Sequence, residues 1–158
     1  MLTPIILLVL MTAPYLISRR VLKAVMQREV DLPGAGAIGL TLLFILTGIG
    51  HFTETEAMAQ MLPSWVPRRT AIIYLTGVLE FAIAAGFFFR KTRPMTGWIA
   101  AMILVLFFPA NVYAAIHHVP MGGHVWGPVY LLIRGPLQLI ILAWVYWFTI
   151  RTPQVADC

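Results

Sequence analysis

Four long apolar runs dominate the chain, at 34–52, 70–89, 95–117 and 128–150, separated by segments that hold Arg, Lys, Glu, Pro or Gly. Each is long enough to cross roughly 30 Å of hydrocarbon at about 1.5 Å per residue. A shorter run, Leu2–Ile17, interrupted by Pro4 and Pro14, is a candidate fifth crossing. The runs lack the period-2 alternation of a membrane barrel, and unpaired sheet edges cannot sit in lipid, so the pattern predicts helices. The expected architecture is an all-α membrane protein. Residues 1–33 form an N-terminal helix and basic loop, 34–150 a four-helix core, and 151–158 a short tail.

Composition sharpens this. Of 158 residues, 60% are apolar and 11% charged, against about 45–50% and 25% in soluble domains. That excludes a soluble enzyme and a disordered tail. The net charge of +5 does not indicate nucleic acid, because no polar face is left to bind a phosphate backbone. It is explained by topology. With five crossings and an outer N-terminus, Arg19, Arg20, Lys23, Arg28, Arg90, Lys91, Arg93 and Arg151 fall on the cytoplasmic side, and only Arg68 and Arg69 outside. The positive-inside rule favours that orientation in an inner membrane, with a cytoplasmic C-terminus. Trp98, Trp144, Tyr146 and Trp147 then mark the inner interface, Trp65 and Trp126 the outer one. No basic stretch precedes the first run and no small-residue cleavage site follows it, which argues against a signal peptide. Between the second and third runs, Met58, Met61, Leu62, Trp65 and Val66 predict an amphipathic segment on the outer surface.

The one cysteine, Cys158, rules out an internal disulfide and a Cys-x-x-Cys redox pair. Phosphate-binding loops, nucleophile elbows and zinc-finger spacings are also absent from the sequence. The chemistry must come from polar residues within the spans, which cost several kcal/mol unless paired or wetted. Glu80 and Arg134 are the two ionisable ones. Helical rise puts both in the outer half or near the midplane, with Asn111 at a similar depth and His51 at the outer rim. Tyr130 and Gln138 flank Arg134 at four-residue spacing on one stripe. Pro109 and Pro136 free the carbonyls of Val105 and Leu132 beside these groups, and Gly48, Gly77 and Ala84 allow close helix approach. Three readings fit: a Glu80–Arg134 pair that locks the bundle, a pocket for a small lipophilic molecule such as quinone, or proton transfer through Glu80 and His51. A second cluster, His117, His118, Met121 and His124, offers imidazole and thioether ligands to copper, with Met58 and Met61 in reach, or is a plain interfacial loop.

Gly48-Ile49-Gly50-His51-Phe52, Met61-Leu62-Pro63, Trp65-Val66-Pro67, Gly77 with Glu80, Pro109-Ala110-Asn111 and Arg134-Gly135-Pro136-Leu137-Gln138 follow one another in an order that resembles the DoxX-like family of small bacterial membrane proteins. The resemblance runs from about Gly34 to Trp147. It implies a four-helix membrane bundle, with the first run an addition, and a family pattern falling on His51, Glu80, Asn111 and Arg134. It further implies an accessory subunit of a membrane redox system or an assembly helper. Quinone is the expected cofactor, and a membrane or periplasmic redox protein, or a second copy of the chain, the expected partner. Independent catalysis is not implied, since electrons would have to come from a partner or a bound quinone.

Overall fold

The computed structural model describes residues 2–22 and 31–151. Lys23, Arg28 and Cys158, which carried part of the expected cytoplasmic charge and tail, lie outside them. Among the described residues there is no strand. Helix α1 spans Leu2–Ile17 and runs into a π-helical turn, Ser18–Leu22; α2 is Leu32–Thr53; a short α3, Thr55–Gln60, leads to α4, Arg69–Phe88. Helix α5 is Arg93–Ile116, and a 3₁₀ segment, His124–Tyr130, feeds α6, Leu131–Val145, which ends in a π turn, Tyr146–Ile150. Among the described residues, four stretches are long and apolar enough to cross a membrane: Leu32–Thr53, Arg69–Phe88, Arg93–Ile116 and His124–Ile150. They match the four long runs. The last starts earlier than the expected Pro128, because Gly127 takes φ 71° and ψ −154° and lets the chain enter through a kink before α6.

Local chemistry sets the ends. Asp31 caps α2 by accepting from the Gly34 N–H at 2.9 Å, with Pro33 in the first turn, where a missing N–H costs nothing. The tight turn from α4 to α5 is held by the Thr92 hydroxyl on the Gly86 carbonyl at 2.6 Å and Arg93 Nε on the Phe87 carbonyl at 2.9 Å. Arg93 also approaches Asp31 at 4.0 Å, joining the starts of α2 and α5.

Helices α2, α4, α5 and α6 enclose one core, in which Leu40, Phe44, Phe87, Ala100 and Val145 are almost wholly buried and Phe44 meets Phe87 at 5.7 Å. The opposite faces expose Leu75, Val78, Val105, Leu106, Leu132 and Leu139. In water so continuous an apolar surface would drive aggregation; in hydrocarbon it has no such cost. Helix α1 packs against α2 and adds Leu7 and Met11 to the same core, Met11 being fully buried. The contact is backbone to backbone: a Cβ at Gly39 would overlap the Met11 carbonyl oxygen. Tyr15 reaches the end of α6, its ring 5.7 Å from Trp144 and 5.2 Å from Phe148, and Trp144 Nε1 donates to the Gly36 carbonyl at 3.2 Å.

Candidate functional site

Glu80, on the core-facing side of α4, is only 7% exposed. Its Oε2 lies 3.6 Å from His51 Nδ1, across the α2–α4 seam. His51 stands in the last turn of α2, yet its side chain sits deeper than the rim position expected. A helical Cα–Cβ bond tilts toward the helix N-terminus, so a residue near the end of α2 points back down it. Its Nδ1 donates to the Thr47 carbonyl at 2.9 Å, one turn earlier. The tilt on antiparallel α4 directs Glu80 the opposite way, and the two side chains converge. Gly77 makes room for this, since a Cβ there would lie 2.7 Å from the Cβ of His51. Thr47, which the sequence reading passed over, borders Glu80 while its hydroxyl donates to the Leu43 carbonyl at 3.1 Å. It precedes His51 by four residues, so the stripe spacing that gathered Tyr130, Arg134 and Gln138 would have revealed it.

Arg134 belongs to a second pair. The expected Glu80–Arg134 ion pair does not form at contact distance: Arg134 Nε donates to Asn111 Oδ1 at 3.0 Å, joining α6 to α5. Asn111 in turn donates to the Phe107 carbonyl at 3.0 Å, which turns its oxygen toward the guanidinium. Burial decided this outcome, because a neutral amide on the facing helix meets the guanidinium without requiring α4 to cross the bundle. Arg134 remains in electrostatic range of Glu80, Tyr130 and His124, so the two pairs share one polar layer. Gln138, one turn beyond Arg134, donates to the Leu104 carbonyl at 2.7 Å and clamps α6 to α5 again.

The outer histidines are not gathered. His117 is exposed, stacks on Tyr113 at 3.9 Å and bonds the Tyr113 carbonyl at 2.9 Å. His118, at φ 50°, lies over Gly127. His124 turns inward, buried, with its ring edge-on to Tyr130 at 4.9 Å. The Met58 methyl lies against Gly50 of α2. Among the described residues no set of three His, Cys, Asp or Glu is placed to hold a metal ion. Pro120 and the bends at Gly122 and Gly123 separate the three rings, and no signal in the sequence distinguished the inward one.

Two clefts lie elsewhere. One, of about 390 Å³, is bordered by Ser64, Arg68, Arg69 and Thr70 at the start of α4. The other, of about 370 Å³, is an apolar groove beside Phe81, Phe88 and Phe89.

The fold and site together define an all-helical protein with four membrane-length helices and a buried polar layer between them. The chain belongs to the family described as a domain of unknown function (DUF8561), which it matches over residues 40–149, a stretch that contains every residue of that layer. No match was found among curated proteins or among solved structures.

Proposed function

We propose that this protein is a multi-pass inner-membrane protein that holds a small lipophilic molecule at the layer of His51, Glu80, Asn111 and Arg134, with quinone or its reduced form as the leading candidate. The single observation that carries the reading is Glu80 Oε2, which is enclosed by protein and receives no hydrogen bond. A buried acceptor left unsatisfied costs about 1–3 kcal/mol, more when charged, so its retention between four long helices points to an occupant that supplies the missing contact. On this reading Arg134 and His51 contact ligand oxygens, Glu80 accepts from the ligand or exchanges a proton with it, and Asn111 fixes the guanidinium. The resemblance to DoxX-like proteins supports the same role, an accessory subunit beside a membrane or periplasmic redox partner. The test is solvent extraction of the purified protein followed by mass spectrometry. A lipophilic compound near one per chain in the wild type and depleted in Arg134→Ala is expected, and an extract holding only bulk phospholipid sinks the reading.

A second reading, a structural or assembly subunit without a ligand, draws on the Arg134–Asn111 and Gln138–Leu104 bonds, which satisfy their groups within the protein. Its mark is co-purification with a partner subunit that is lost when the layer is altered, with no compound in the extract. A small enzyme or transporter using Glu80 for proton transfer requires turnover or transport that stops in Glu80→Gln.

A further inference from the structure

Two enclosed side-chain atoms among the described residues lack a hydrogen-bond partner, Glu80 Oε2 and His124 Nε2. Both are acceptors. The His124 assignment follows from its other nitrogen: Nδ1 lies 2.9 Å from the Met121 carbonyl oxygen, which can only accept, so the proton is on Nδ1 and Nε2 presents a bare lone pair. The nearby donor groups are turned elsewhere: the Thr47 hydroxyl, which borders Glu80, donates to the Leu43 carbonyl, His51 Nδ1 to the Thr47 carbonyl, Arg134 Nε to Asn111, and the side-chain amides of Asn111 and Gln138 each give one N–H to a backbone carbonyl. Arg134 is in electrostatic range of Glu80 and of His124, and its remaining N–H groups satisfy neither atom. The layer therefore lacks donors aimed at its two buried acceptors, while its guanidinium still has N–H groups to offer.

A hydroxyl answers both conditions, because its oxygen accepts from a guanidinium while its proton goes to a carboxylate or an imidazole nitrogen. A carbonyl only accepts and leaves both atoms as they are. We infer that the polar layer takes a lipophilic alcohol or phenol in preference to the matching carbonyl compound. This rests on the ligand-binding reading above and adds to it the sense of the hydrogen bonds.

The experiment compares two probes differing by two hydrogen atoms, a decyl-substituted hydroquinone and the benzoquinone of the same skeleton. Each is titrated calorimetrically, without oxygen, into the full-length protein in lipid nanodiscs. The hydroquinone is expected to bind about tenfold or more tightly, the factor that one buried acceptor gaining a donor supplies. In Glu80→Gln, whose amide brings its own donor, the two affinities should approach each other. Equal affinities in the wild type, or tighter binding of the benzoquinone, overturn the inference and leave the ligand-binding reading standing. Binding of neither probe removes both. A hydroquinone preference unchanged in folded Glu80→Gln overturns the assignment to this layer.

Discussion

The two charged residues in the spans stand beside the nearest polar group rather than beside each other, and Glu80 Oε2 is still left without a hydrogen bond. Glu80 meets His51 and Arg134 meets Asn111, although a carboxylate and a guanidinium in one bundle suggest each other. A double-mutant cycle separates the alternatives. Thermal unfolding in detergent of His51→Ala, Glu80→Ala and their combination should show coupling within the range of about 0.5–3 kcal/mol found for residues in contact. The cycle of Glu80→Ala with Arg134→Leu should show less. Removing one member of a pair strands the other, so Asn111→Leu should destabilise, and adding Arg134→Leu should recover part of the loss. A Glu80–Arg134 coupling larger than that of Glu80 with His51 would contradict the pairing.

At the scale of the helices, close approach is set where a side chain is missing. Gly39 lets α1 seat on α2 through Met11, and Gly77 lets α4 meet α2 at His51 and Phe52. Gly39→Val should push α1 off the bundle and expose the Leu2–Ile17 segment to protease while α2, α4, α5 and α6 stay folded. Gly77→Val should lower the melting temperature and disturb the His51–Glu80 contact. Gly135 provides the control. A Cβ there meets nothing within 4 Å, so Gly135→Ala should be neutral or stabilising by up to about 1 kcal/mol through helix propensity. Equal damage from Gly77→Val and Gly135→Ala would show that close packing does not govern these positions.

For the whole molecule, the charge asymmetry makes a prediction about direction. If eight cations mark the cytoplasmic face, the C-terminus is inside, and Cys158, the sole cysteine, offers a direct probe. A membrane-impermeant maleimide should label it only after cells are permeabilised; labelling of intact cells would reverse the proposed orientation. The same experiment with a cysteine placed at the N-terminus, in a chain lacking Cys158, reports whether α1 crosses. Its 16 residues span about 24 Å at helical rise, short of a typical core.

The run lengths determined by themselves that the chain forms helices of membrane length. The cost of charge in hydrocarbon marked Glu80, Arg134, Asn111, His51, Gln138 and Tyr130 without any contact being known. Both follow from one-dimensional quantities, how long a segment stays apolar and which residue interrupts it. Partner choice needed three dimensions, because it depends on the tilt of each Cα–Cβ bond, on which glycine lets two backbones close, and on which helix faces which. That is why the inward turn of His124 emerged only from the folded chain, and why Glu80 and Arg134 stand in one layer with different partners.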